Sequence, residues 1–153
     1  WMDYSNPDIP LFHARFNPSD WDYKKSPFQN KKHFITTVTF LLKRIHGDQK
    51  MQIAKKCRSY TIQRIEKGHF KYPSAGSVFK NNHDFGAPSG KLIDQCGLKG
   101  TQIGGAQIAP FHGNFIINVD HAKASDVKAL VKIAEEKVKE KFGFELEPEI
   151  IFL

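Results

Sequence analysis

An α+β fold, with strands and helices mixed rather than alternating regularly, is what this 153-residue sequence predicts, and three features predict it. The run HFITTVTFLL, from His33 to Leu42, is dense in β-branched and aromatic residues, as a buried strand is. After Ser125, the residues Val127, Leu130, Val131, Ala134 and Val138 recur at spacings of three and four while Lys and Glu fill the other face, the pattern of an amphipathic helix. Between the two, eight of the eleven glycines fall from Gly76 to Gly113, a stretch built for tight turns and close backbone approach.

Taken in order, the first thirty residues carry Pro7, Pro10, Pro18 and Pro27 among aromatics, which breaks any helix and predicts an extended, irregular segment. The His33 to Leu42 strand follows. Gly47 and Asp48 then offer a cap for a helix from Gln49 to Lys67, with Met51, Ala54, Cys57, Ile62 and Ile65 on one face and Gly68 as its stop. Ser89 can cap a short helix through Leu92, Ile93 and Cys96, closed by Gly97, and two short strands are expected near Gln107–Ala109 and Asn114–Asn118. The long helix runs from Ser125 as cap to Gly143. The final LEPEIIFL reads as a strand, with Pro148 marking an edge or bend.

Composition narrows the function classes. At 40% hydrophobic residues the chain can build a core. No run of about 18 apolar residues occurs, and Trp1-Met2-Asp3-Tyr4-Ser5 lacks the layout of a secretory signal, so a soluble, cytoplasmic protein without a membrane partner is expected. Cys57 and Cys96 stand apart and are expected to be buried free thiols, and the seven histidines show no ligand spacing, so no metal is expected. A net charge of +7 favours an anionic partner. The clusters Lys31-Lys32, Lys43-Arg44, Lys55-Lys56 and Arg58 read as solvated faces, and with no nucleic-acid-binding signature no nucleic-acid partner is expected.

The segment YPSAGSVFKN, from Tyr72 to Asn81, is on its own either a turn entering a strand or a ligand site. Small residues would let a ligand approach, with Ser77 as a donor or acid, Lys80 as a cation and Asn81 as a two-pronged amide. It is not a Walker phosphate loop, and Gly104-Gly105-Ala106 lacks a dinucleotide fingerprint. His112 and Asn114 could serve a site or simply be satisfied structural groups. Glu145, Glu147 and Glu149 alternate along a strand-like segment, and Glu149 precedes four apolar residues, which allows either a solvated face or a carboxylate placed near a reacting group.

Five segments in order resemble the UDP-N-acetylenolpyruvoylglucosamine reductase family: YPSAGSVFKN from Tyr72, GKLIDQCGLKGTQIGGAQI from Gly90, HGNFIIN from His112, ASDVKAL from Ala124 and FGFELEPEI from Phe142. They cover essentially everything after Tyr72. Upstream, WDYKKSPFQ from Trp21 resembles the family's Tyr-Arg-x-Ser region, with Lys24 where the family has arginine. A lysine cannot reproduce the two-pronged grip of a guanidinium on a carboxylate. The short connection from Leu42 to Tyr72 resembles the family's more compact branch.

The resemblance implies a carboxy-terminal substrate-binding domain at residues 71–153, preceded at 1–70 by the end of a flavin-binding domain and a connecting helix. It implies reduction of UDP-N-acetylglucosamine enolpyruvate to UDP-N-acetylmuramate by NADPH through FAD, in peptidoglycan precursor synthesis. Ser77 takes the place of the proton donor and Glu149 that of the carboxylate stabilising the enol. Lys24 with Tyr23 would meet the substrate carboxylate, and Lys80, Asn81 and Asn114 would contact the substrate. Nothing like the family's flavin loop precedes Trp21, so the chain is expected to need an absent flavin-binding domain as partner and to be inactive alone. The His33 to Leu42 strand is expected to expose its edges, with partial disorder or self-association before Tyr72. The alternative is a non-catalytic module binding a UDP-sugar or another polyanion on the same scaffold.

Overall fold

The structure, a computed structural model, describes residues 1–3, 5, 8, 11–29 and 32–152. Its contacts divide into two units, Trp1–His46 and Gly47–Leu153. Among the described residues no helix is long and apolar enough to cross a membrane. Pro7, Pro10, Lys31 and Leu153, which entered the sequence reading, lie outside the described residues.

In the first unit an aromatic cluster stands in for a regular core. Trp1 stacks on Phe12 at 5.5 Å and meets the edge of Phe28 at 5.3 Å, and Phe28 in turn approaches Trp21 and His33. Two-residue strands β1 (Met2–Asp3) and β2 (His33–Phe34) pair antiparallel, Met2 opposite Phe34. The expected strand from His33 to Leu42 therefore stops at Phe34. Beyond it Ile35, Val38, Phe40, Leu41 and Leu42 are exposed, because among the described residues no neighbouring strand takes up their backbone groups. A lone extended run has no ladder to join and no face to bury.

The second unit opens with helix α1 (Asp48–Glu66), none of whose residues is buried, so the Cys57 thiol, expected to be buried, is exposed, and that of Cys96 is only partly covered. A four-stranded antiparallel sheet follows, in the order β3-β6-β5-β4, from β3 (Ser74–Ser77), β4 (Gln102–Ile103), β5 (Ala106–Ile108) and β6 (Phe115–Asn118). Two helices complete it, α2 (Ser89–Gln95) and α3 (Ala124–Phe142). The α+β expectation holds. Leu130, Val131, Ala134 and Val138 of α3 are buried, as the 3.6-residue period requires, against a core that includes Val78, Phe79, Leu92, Ile93 and Ile108.

The caps differ from expectation in detail. Helix α3 begins one residue before Ser125, and Asp126 does the capping: its carboxylate accepts the N–H groups of Lys123 at 3.0 Å and of Gly105 at 3.2 Å. One side chain thus ties the helix start to the β4–β5 turn, and these bonds hold its pKa below the usual carboxylate value. Ser89 is the first residue of α2 rather than its cap, and Cys96 is the residue after it.

Among the described residues of the carboxy-terminal LEPEIIFL no strand forms, and one bridge sets Pro148 antiparallel to Phe79. Around that bridge Lys80 N–H donates to the Glu147 carbonyl at 2.9 Å and Glu149 N–H donates to the Val78 carbonyl at 2.7 Å. Proline is tolerated because it occupies the position that donates nothing to this ladder.

At Gly105 an added Cβ would lie 1.7 Å from the Asp120 carbonyl oxygen. We expect Gly105→Ala to destabilise the chain by about 1–3 kcal/mol through this backbone clash, seen as a lower urea midpoint. An unchanged midpoint would show that the Asp120 carbonyl does not crowd this position.

Candidate functional site

Ser77 ends β3 at the rim of an open groove of about 360 Å³. The groove is lined by Ser77, Asn81, Pro88, Gly90, Lys91, Asp94, Lys99, Phe111, His112, Gly113 and Asn114. All of these but Asn114 fall within the glycine-rich stretch from Gly76 to Gly113, the stretch built for close backbone approach.

One wall is the strand that continues from β3, and the other is α2 with the turn between β5 and β6. They meet where two glycines touch: a Cβ on Gly113 would sit 2.4 Å from the Gly90 carbonyl oxygen, and a Cβ on Gly90 would sit 3.1 Å from His112 Cε1. At Gly113 only hydrogen allows α2 to lie this close, while a side chain on Gly90 would crowd His112 and Asn114. Asn81 closes one end, its Oδ1 accepting the Ser89 N–H at 3.0 Å, and the buried Ser89 hydroxyl donates to the Lys80 carbonyl at 2.6 Å.

Of the seven residues given roles by the resemblance, Ser77, Asn81 and Asn114 line this groove, and so does His112, which the sequence left open as a site residue or a structural group. Ser77 is exposed. Asn114 is 3% exposed, and its carboxamide engages the main chain of Phe79 at both ends, each bond 2.8 Å long. Glu149 pairs through its N–H with Val78, the residue after Ser77. Lys80 is ion-paired with Glu147 across the same antiparallel pairing. Tyr23 and Lys24 belong to the first unit, at the tip of a turn closed between Asp22 and Lys25. There the Lys24 backbone is left-handed, with φ 58°, and its ammonium lies 5.8 Å from the centroid of the Tyr23 ring.

Sequence reasoning missed Lys91, Lys99 and Phe111. The two lysines carried no signal beyond ordinary helix and turn charge; Lys99 is ion-paired with Asp94 at 2.9 Å, so groove charge of both signs is held together.

His112 is fixed by its neighbours. Its Nδ1 accepts the Asn114 N–H at 3.1 Å, and its ring lies 4.5 Å from that of Phe115 and 5.9 Å from that of His69. Burial, and then the nearby charge of His69, push its pKa below the ordinary histidine value. His69, whose Nδ1 is buried with no hydrogen-bond partner among the described residues, is lowered in the same direction, by burial and then by Arg64 and Lys67. The folded chain therefore prefers the neutral His112 ring. That preference contributes stability above the ordinary value of 6.5, and the contribution is lost as pH falls through the lower folded value. We expect the urea midpoint to fall when pH is lowered from about 7.5 to about 5.5, and to fall less in His112→Phe. Equal slopes for the two proteins would remove His112 from this account.

A family model described as "UDP-N-acetylenolpyruvoylglucosamine reductase, C-terminal domain" matches residues 68–153. The UDP-N-acetylenolpyruvoylglucosamine reductase of Treponema denticola is 54% identical over 147 residues, covering 90% of this chain and 44% of that protein. The reductase of Borreliella burgdorferi is 44% identical over 138 residues, covering 90% of this chain and 45% of its own length. A crystal structure of UDP-N-acetylenolpyruvylglucosamine reductase (MurB) from Thermus caldophilus is 43% identical, with a TM-score of 0.49 over 65% of this chain and 35% of that one. The chain spans less than half the length of the curated relatives it matches. With a matching family model over more than half of its residues and relatives at these identities, the chain belongs to the UDP-N-acetylenolpyruvoylglucosamine reductase family.

Proposed function

We propose that this chain supplies the substrate-binding and proton-donating part of a bacterial cytoplasmic flavoenzyme. The enzyme reduces UDP-N-acetylglucosamine enolpyruvate to UDP-N-acetylmuramate with NADPH, for peptidoglycan precursors. The observation that carries the reading is the exposed Ser77 hydroxyl on a groove rim, next in sequence to Val78, whose carbonyl holds the Glu149 N–H at 2.7 Å. A serine and a glutamate separated by 72 positions in sequence are thereby carried on adjacent paired segments.

Reducing an enol ether double bond needs a hydride at one carbon and a proton at the other. The residues here serve the second need. Ser77 gives its Oγ proton to the carbon that bears the ether oxygen and the carboxylate, which becomes carbanion-like as the first hydrogen arrives, and Glu149 stabilises the enol form of that carboxylate. Asn81, already oriented by Ser89, turns its amide to the UDP-sugar. Lys91 and Lys99 give the groove the positive charge that a diphosphate requires. Tyr23 and Lys24 take the substrate carboxylate, Lys24 as a point charge. Lys80 reaches substrate only by leaving Glu147.

The groove lining does not fit a flavin. It is open, polar on both walls and offers no broad apolar slot for a three-ring system. We therefore assign FAD, and the hydride chemistry it supplies when bound, to the part of the relatives' length that this chain does not match.

Lys24 in the arginine position supports a second reading, a non-catalytic binder of a UDP-sugar or another polyanion. In protein expressed from the complete reading frame, substrate-dependent NADPH oxidation is expected, and Ser77→Ala should lower kcat by about 10²–10⁴-fold with substrate affinity little changed. A flavin-bound protein that binds the UDP-sugar without turnover would select the second reading. Full activity in Ser77→Ala would take the proton-donor role from Ser77.

A further inference from the structure

We propose that Asn114 is a positioning residue, its carboxamide standing in for a missing stretch of main chain and holding Ser77 and Glu149 in register. The proposal rests on the reductase reading for its catalytic consequence, though not for the clamp itself.

The ladder between β3 and β6 reaches Ser77 opposite Phe115, after which Val78 N–H donates to the Asn114 carbonyl at 2.9 Å. In that register Phe79 should face residue 113. It cannot, because Gly113 is drawn away against α2, where even a Cβ would meet the Gly90 carbonyl at 2.4 Å and the Asp94 nitrogen at 3.2 Å. Phe79 is 2% exposed, so an unpaired N–H and C=O there would be costly. The Asn114 side chain supplies both partners: Oδ1 accepts the Phe79 N–H, and Nδ2 donates to the Phe79 carbonyl, each at 2.8 Å. A carboxamide carries the same donor and acceptor as a peptide unit, which is why this exchange closes. The flanking groups, the Val78 carbonyl and the Lys80 N–H, point the opposite way and bind Glu149 and Glu147. Releasing Phe79 on the Asn114 side thus loosens the strand against which the Glu149 segment is aligned.

Two measurements test this. In protein from the complete reading frame, Asn114→Ala and the isosteric Asn114→Asp should lower kcat by about tenfold or more while KM stays within about threefold, the split expected when geometry rather than ground-state binding is lost. In the 153-residue chain, amide exchange at Phe79 and Glu149 should accelerate about tenfold or more in Asn114→Ala, which removes both buried bonds to Phe79, and at Glu149 in Asn114→Asp, which keeps an acceptor for the Phe79 N–H but loses the donor to its carbonyl, with Ile108 and Ile117 unchanged. If Asn114→Ala fails to fold, Asn114→Asp decides. A raised KM with unchanged exchange at Phe79 and Glu149 would make Asn114 a ligand contact and overturn the proposal, as would exchange that does not change in either variant. Absence of any reductase activity in the unmutated protein would instead sink the reductase reading, and the exchange result would still decide the clamp.

Discussion

Three residues, Val78, Phe79 and Lys80, form the strip on which the rest of the second unit depends. Val78 and Phe79 are almost fully buried, so every one of their backbone groups must find a partner inside the protein. They find them on both sides: Asn114 on one, and the segment from Glu147 to Ile150 on the other. Because strand pairing admits one register for a buried set of side chains, the strip fixes what lies at its ends. Ser77 leaves at the rim of the groove, Asn81 enters the groove at the far end, and Glu149 is aligned beside Val78, at the Ser77 end of the strip.

The same strip is tied to α2. The hydroxyl of Ser89 binds the carbonyl of Lys80, and Asn81 receives the first free N–H of the helix. Gly90 and Gly113 then allow helix and turn to meet at hydrogen-only distance. The two walls are consequently backbone held in place, from which Lys91, Lys99, Phe111 and His112 project, and the spacing of the walls is set before any ligand arrives. Preorganisation of that kind lowers what binding must spend on ordering.

Much of this was legible in the sequence, unevenly and for physical reasons. Helix α3 was readable because one face of it is buried along its length, so its period is written in Leu130, Val131, Ala134 and Val138. The strand from His33 was overread, since β-branched and aromatic density shows a tendency to pair while pairing itself needs a neighbour, and within the described residues only Met2 and Asp3 supply one. The carboxy-terminal segment alternates as a strand does, and among its described residues the structure keeps that register with one bridge, at Pro148. The identity of Ser77, Asn81 and Glu149 as candidates came mainly through resemblance, because each has an ordinary structural explanation when met alone. What no local pattern could give was the clamp by Asn114, which depends on a glycine contact between Gly113 and Gly90, 23 positions apart.

Charge was the weakest guide, and the reason bears on what the groove can hold. The net charge of +7 is not concentrated at the site. Lys50, Lys55, Lys56, Arg58 and Arg64 lie on the exposed α1, opposed within it by Asp48 and Glu66 alone. At the groove the cations are Lys91 and Lys99, the latter shared with Asp94, while Lys80 is paired with Glu147. A polymeric anion is gripped by many cations along a track, each releasing counterions. Two cations beside a carboxylate, set among an amide, a serine hydroxyl and a neutral imidazole, suit instead a small ligand with one compact anionic group and several hydroxyls or amides to orient. The groove therefore selects by placed hydrogen bonds more than by field, and the walls that place them are those fixed by Phe79 and Gly113.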